Sequence, residues 1–321
     1  MILSEDSHYQ AQPVIINKVQ YFEYMAQYKT DQIRLSEIKY KEFPGNRRAV
    51  LWIHGFNDYY FHFHVGELLL SEGYNVYSIT LPKYPQNGTD RRYLFYTSDI
   101  GGYFPYIDDY IDFINKRDIH DIVLYGHSTG GLITTAYLSE GKNASKISKL
   151  ILNAPFFDFN DSDLKEFILE SIISTIGKFA PKFLVKEGKN KLHNPDYYKD
   201  ILSRYYFEQN KKLTYPSHVF AGWIRAVSIY HKKIQKKQIK LRIPVLVLTS
   251  STSMRRCSGE QKGDCVLDVI EMKRISKNIG DDVRVKDYHG AIHDVLLSKS
   301  GVVDLATRDM LHFLRNSQHN R

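Results

Sequence analysis

Short apolar runs recur along this chain, and stretches of helical period separate them. Ala49-Val50-Leu51-Trp52-Ile53, Asn75 to Ile79, Ile122 to Tyr125, Lys149 to Asn153, Pro244 to Ser250 and Val283 to Tyr288 are each four to seven residues long and rich in Val, Ile and Leu. Runs of that length without strict alternation read as strands covered on both faces. Two earlier runs, Val14 to Phe22 and Gln32 to Phe43, alternate apolar with polar positions and read as antiparallel strands at a sheet edge. Tyr106 to Lys116, Val266 to Lys277 and Val302 to Phe313 carry helical spacing. Buried strands alternating with helices predict an α/β fold, with a mostly parallel central sheet covered by helices on both faces.

The alternation breaks between Phe156 and about Gln238. That stretch holds Phe167, Ile168, Ile172, Ile173, Ile176 and Phe179, then Phe183, Leu184 and Val185, then Tyr197, Tyr198, Tyr205, Tyr206 and Phe207, with no clear core strand. It reads as a helical cap inserted at 156–238, between a first core segment at 1–155 and a second at 239–321. Most of its aromatics are expected in the cap's own core, and some along an apolar pocket beneath it.

The strand at Ile122 to Tyr125 runs into Gly126-His127-Ser128-Thr129-Gly130-Gly131, and a helical run from Leu132 to Leu138 follows. Strand, G-x-S-x-G, helix is the pattern of a nucleophile elbow, which would expose the Ser128 hydroxyl on a strained turn. Such a serine needs a base, an acid that orients the base, and two backbone donors for an oxyanion. The chain order of α/β-hydrolases, Ser then Asp or Glu then His, selects the candidates. His289 and His293 follow the last strand, and His293, beyond a turn, is better placed to reach back over the sheet. Asp264, Asp268 and Glu260 follow the strand that ends at Ser250, with Asp264 first in preference and a helix N-cap as its alternative role. Thr129, after the serine, and Phe56, in the loop His54-Gly55-Phe56-Asn57, are the expected oxyanion donors. His54 reads as a structural hydrogen-bonding residue.

These stretches, together with Asn153-Ala154-Pro155-Phe156-Phe157, Gly263-Asp264-Cys265-Val266-Leu267-Asp268-Val269 and Gly290 to Ser298, resemble the monoacylglycerol lipase and lysophospholipase-like branch of the α/β-hydrolase superfamily, labelled serine aminopeptidase S33-type. The resemblance covers the core from about Ala49 onward and leaves out most of the cap. It implies Ser128 as nucleophile, Asp264 as acid, His293 as base, Phe56 and Thr129 as oxyanion donors, and an esterase rather than a peptidase. The chain departs from the family pattern in the long Cys-flanked loop before Asp264 and in the cap.

The rest of the sequence narrows the function classes. No apolar run approaches the roughly 20 residues of a membrane span, and the first residues lack a basic n-region and an apolar h-region, so a cytoplasmic protein is expected. Cys257 and Cys265 are the only cysteines; they flank a short hydrophilic loop across which a local bridge is geometrically conceivable, and in that compartment free thiols are expected. The formal net charge is +8. Its basic run from Lys232 to Lys240 reads as a solvated helix face, with peripheral contact to anionic membrane as the functional alternative. No nucleic-acid reader motif accompanies the charge. No G-x-G-x-x-G or P-loop pattern is present, His62 and His64 lack a third zinc ligand, and no cofactor or metal is implied. The expected function is hydrolysis of a small-molecule acyl ester such as a monoacylglycerol or lysophospholipid. A thioesterase or amidase, or a catalytically silent fold used for binding, are the alternatives.

Overall fold

In the computed structural model of the chain, the apolar runs become neighbours in one nine-stranded sheet. The structure describes residues 12–16, 19–27, 32–38, 45–85, 90–159, 164–188, 201, 204–205, 216–254, 257 and 262–316, with side chains from 45 onward except 164–170 and 316. Glu260 and the aromatics Tyr197, Tyr198, Tyr206 and Phe207 lie outside the described residues, as do the side chains of Phe167 and Ile168.

At one edge, β1 (Gln12–Ile16), β2 (Val19–Gln27) and β3 (Gln32–Ile38) form an antiparallel meander. The run expected as one strand over Val14 to Phe22 is therefore two strands that fold back on each other, because alternation reports a face and not a change of direction. β3 pairs antiparallel with β5 (Asn75–Ile79). Six parallel strands follow in the order β5, β4 (Arg48–Ile53), β6 (Asp121–His127), β7 (Ile147–Asn153), β10 (Val245–Ser250) and β11 (Val283–Tyr288). The central strands β4, β6 and β10 are buried almost throughout. The edge strand β11 alternates half-buried valines with exposed Arg284 and Lys286, which discourages further strand addition.

Alternate residues of the central strands feed two cores. Val50 and Trp52 point to the side covered by α1 (Phe63–Ser71) and α7 (Ser300–Asn316), where Val65, Leu69, Met310 and Phe313 are buried. Ala49, Leu51 and Ile53 point to the side covered by α2 (Phe104–Asn115) and α3 (Thr129–Glu140). Pro105 sits in the first turn of α2, where its missing N–H leaves no helical bond unmade. In α7 the buried positions Val303, Ala306, Met310, Phe313 and Leu314 recur at helical spacing, as the sequence pattern predicts.

Between β7 and β10 the chain leaves the sheet. This stretch contains α4 (Leu164–Phe179), a small two-stranded sheet of β8 (Leu184–Lys186) and β9 (Val219–Phe220), and α5 (Ala221–Gln235). Neither short strand joins the central sheet. Trp223, Val227 and Tyr230 of α5 are buried against the main core, whereas Phe179 is 77% exposed and Phe183 54% exposed. Those two phenylalanines are not in a cap core. Among the described residues no helix is long and apolar enough to cross a membrane.

Candidate active site

The four loops that carry the expected site residues all leave the carboxyl ends of parallel strands, where ligands bind in open α/β sheets. Ser128 follows β6 directly and adopts φ 51° and ψ −117°, a region that a residue with a Cβ rarely enters. The surrounding backbone holds it there. Ser128 N–H donates to Asn153 O (3.0 Å), and Ser128 O accepts from Gly131 N–H (2.9 Å) and Phe156 N–H (3.0 Å). The glycines of the motif are dictated by crowding. A Cβ at Gly126 would lie 2.5 Å from Thr134 Oγ1 and 2.6 Å from Gly130 O, and one at Gly130 would lie 2.3 Å from Ile53 O and 2.5 Å from His54 O. Gly130→Ala is expected to destabilise the fold by about 1–3 kcal/mol, since backbone and not a movable side chain blocks the added methyl. Urea unfolding measures it, and a midpoint equal to wild type contradicts the packing argument.

Asp264 and His293 meet. His293 Nδ1 donates to Asp264 Oδ2 at 2.8 Å, and both side chains are buried. The other carboxylate oxygen, Oδ1, accepts from Val266 N–H (2.7 Å) and Leu267 N–H (3.0 Å). Burial alone would raise the Asp264 carboxyl, but the His293 imidazole and the two backbone donors outweigh it and hold the group below its ordinary range. With Nδ1 donating, Nε2 of His293 is left as the basic nitrogen. His289 is exposed at the end of β11 and lies outside this pair.

The helix expected from Val266 begins later, as α6 (Val269–Ser276). Its N-cap is Asp268, whose Oδ1 accepts from Ile270 N–H (2.8 Å) and Glu271 N–H (3.2 Å). Asp264 is thus not the cap, because its two oxygens are taken by His293 and by the turn before the helix. The long loop before Asp264 doubles back on itself. Met254 N–H donates to Asp264 O (2.6 Å), and Asp264 N–H donates to Thr252 O (2.9 Å). This closure brings Cys257 and Cys265 to a Cα separation of 5.1 Å, where they form a disulfide. The free thiols expected above are thereby corrected: bridging geometry is set by the loop's path, which spacing along the chain does not reveal.

The loop after β4 lies against the elbow. A Cβ on Gly55 would stand 3.2 Å from Ser128 Cβ. Among the described residues neither Phe56 N–H nor Thr129 N–H, the latter in the first turn of α3, donates to a backbone carbonyl. The N-terminus of α3 points its free donors and positive dipole end toward Ser128. His54 has the structural role expected of it. Its Nε2 accepts from Leu81 N–H (3.1 Å), so Nδ1 carries the proton and donates to Gly55 O (2.9 Å).

The stretch before and along α5 reaches this loop. Asn57 Nδ2 donates to Ser217 Oγ (2.5 Å), and the Phe56 ring lies 5.0 Å from Trp223. Phe156 and Phe159 continue the aromatic surface, 4.9 and 4.8 Å from the His231 ring.

Sequence reasoning missed a second buried cluster. His62 Nε2 donates to Asp294 Oδ2 (2.7 Å), and Asn153 Nδ2 lies 2.7 Å from both Asp294 Oδ1 and Tyr125 Oη. His127 Nδ1 donates to Asp58 Oδ2 (3.1 Å). Burial would raise the Asp294 carboxyl, yet His62 and His127 beside it hold it well below its ordinary range. His62 is thus fully buried immediately before α1, with its imidazole on Asp294. His64 donates to Leu296 O (2.9 Å), and burial, with His62 nearby, pushes its imidazole down to about 4. Among the described residues no group of three or more His, Cys, Asp or Glu side chains is placed to hold a metal. The one sequence signal of this cluster was adjacency: His127 precedes Ser128, and Asp294 follows His293.

A family model described as serine aminopeptidase, S33, matches residues 44–300. Among solved structures the chain is similar to a soluble variant of monoglyceride lipase from Saccharomyces cerevisiae in complex with a substrate analog, at 18% identity and TM-score 0.70, covering 97% of this chain and 99% of that one. It is also similar to monoacylglycerol lipase from Paleococcus ferrophilus (18% identity, TM-score 0.62, 84% and 94% covered). An esterase from Exiguobacterium antarcticum matches as well (17% identity, TM-score 0.56, 90% and 98% covered). At these identities the likeness establishes a shared α/β-hydrolase fold. No curated protein matches the chain in sequence.

Proposed function

The chain belongs to the serine aminopeptidase S33 family of α/β-fold hydrolases, and on that premise we propose that it cleaves carboxylic esters through Ser128, His293 and Asp264. The observation that carries this reading is the 2.8 Å His293–Asp264 bond at the same sheet end as the strained Ser128 turn. In the proposed reaction His293 Nε2 takes the proton from Ser128 as its oxygen attacks the ester carbonyl. The carbonyl oxygen gains negative charge, and the N–H groups of Phe56 and Thr129 receive it. His293 then gives its proton to the departing alkoxide, leaving an acyl-serine that water cleaves by the same steps. Asp264 holds the imidazole in the reactive tautomer and balances its charge while protonated.

We assign segment 156–238 the role of a cap over an acyl-binding surface. The contacts of Ser217 with Asn57 and of Trp223 with Phe56 support this, because both bring the segment onto the loop beside Ser128. The aromatic surface of Phe156, Phe159 and Trp223 suits an acyl chain more than a charged acid. The monoglyceride lipases among the structural relatives support a monoacylglycerol or a similar acyl ester as substrate. Hydrolysis of p-nitrophenyl esters from acetate to palmitate tests the reading, and the chain-length optimum sizes the pocket. Turnover of matched thioesters or amides with none of the esters would move the assignment to those substrates.

Peripheral contact with anionic membrane through 232–240 is the weaker part of the proposal. Lys233 pairs with Glu140 (2.5 Å) and Lys240 with Asp281 (2.8 Å), while Lys236 and Lys237 are exposed. Two such lysines supply about 2 kcal/mol at an anionic surface, enough for salt-sensitive contact only. The expected result is partial sedimentation with phosphatidylserine vesicles at low salt, reduced in Lys236→Glu/Lys237→Glu. Equal sedimentation with neutral vesicles removes the idea.

A further inference from the structure

Behind Ser128, the buried side chains of Asp58, His62, His127 and Asp294 take no part in the reaction proposed above, and each residue is less than a tenth exposed. Asp58 occupies the pivotal place among them. Its Oδ2 accepts from Gly55 N–H at 3.3 Å and from His127 Nδ1 at 3.1 Å. Gly55 directly precedes Phe56, and His127 stands two residues before Thr129. One carboxylate oxygen therefore joins the loop that bears one oxyanion donor to the strand end that bears the other.

An oxyanion hole is effective only when its two N–H groups are held apart at a set distance before the charge develops. Here they come from different loops, which share no backbone ladder beyond the end of β4 and β6 pairing at Ile53 and Gly126. The Phe56 loop also contains Asn57 at φ 48°, a strained conformation that relaxes unless contacts over-determine it. A buried carboxylate carries a desolvation penalty that neutral groups of the same shape avoid. Its benefit is a charge-assisted bond, shorter and stiffer than a neutral one.

We propose that Asp58 is a positioning residue: its bridge between Gly55 and His127 sets the separation of the Phe56 and Thr129 N–H groups. The proposal rests on the reading of Ser128 as an ester-cleaving nucleophile. A residue that only supports the fold would change stability. A residue that sets the hole changes the rate of the chemical step and the affinity for anything that places an oxyanion there, with little effect on ground-state binding.

The experiment compares wild type, Ser128→Ala, Asp58→Ala and Asp58→Asn for kcat and KM on the best p-nitrophenyl ester. It also measures inhibition by an alkyl trifluoromethyl ketone, to whose carbonyl the Ser128 oxygen adds, leaving a hemiketal oxyanion in the hole. Asp58→Ala is expected to lose about 100-fold in kcat, with KM changed by less than about threefold, and to bind the ketone weaker by the same factor. Asp58→Asn keeps an acceptor for both donors and is expected to recover about a tenth to a half of the wild-type rate. Thermal melts check folding, and if Asp58→Ala does not fold, the paired losses in Asp58→Asn decide the matter. A kcat within about threefold of wild type in Asp58→Ala, with Ser128→Ala inactive, overturns the proposal. So does a loss of kcat with ketone affinity unchanged, which assigns Asp58 to another step. Ester turnover equal in Ser128→Ala and wild type instead defeats the nucleophile assignment, and the positioning role falls with it.

Discussion

Ser128→Ala is expected to reduce ester turnover by about 10⁴- to 10⁶-fold while leaving the protein folded. The proposed reaction has no other nucleophile at the elbow, so the loss falls on kcat. The contacts that hold the turn are made by backbone atoms of Ser128, to Asn153, Gly131 and Phe156, and survive the change. Alanine at φ 51° carries the same backbone strain as serine. Matched kinetics and urea unfolding of the two proteins check both halves of the expectation. Undiminished turnover in pure Ser128→Ala protein would falsify the mechanism.

Asp264→Asn is expected to lower kcat by about 10⁴-fold, with the fold intact. The asymmetry of the carboxylate's contacts is the reason. Oδ1 accepts from Val266 and Leu267, and an asparagine oxygen serves those donors equally well. The amide nitrogen then faces His293 Nδ1. It can only donate, so Nδ1 must accept and Nε2 must carry the proton. That tautomer cannot take a proton from Ser128. Asp268→Asn is the control, because asparagine caps a helix about as well as aspartate, and turnover within about twofold of wild type is expected. The opposite ranking of the two variants would move the acid to Asp268.

The loop between β10 and α6 shows where sequence reading reaches its limit. Chain order puts Asp264 first among the candidate acids but leaves a helix cap open as its alternative role. The structure separates the roles. The doubled-back loop, closed by the bonds of Asp264 with Thr252 and Met254 and by the Cys257–Cys265 disulfide, starts the helix at Val269 and hands the cap to Asp268. Nothing in the spacing of two cysteines eight residues apart says whether the chain between them returns on itself.

By itself the sequence determined the central sheet and singled out the turn after β6 as the candidate for a site. Runs such as Ala49 to Ile53 and Val245 to Leu248 are apolar at every position, and a strand covered on both faces buries them all. The Gly126-to-Gly131 turn is legible as a motif, but only Gly126 is crowded by atoms a few residues away; Gly130 is crowded by Ile53 and His54 and Gly131 by Pro155, contacts that the fold supplies. What only the tertiary structure decided is which polar side chains meet. Asp58 and His127 are 69 residues apart in the chain, and His62 and Asp294 are 232 apart. No periodicity couples such positions. Their pairing follows from four strand ends opening onto one face, where burial makes an unpartnered charge too costly to keep.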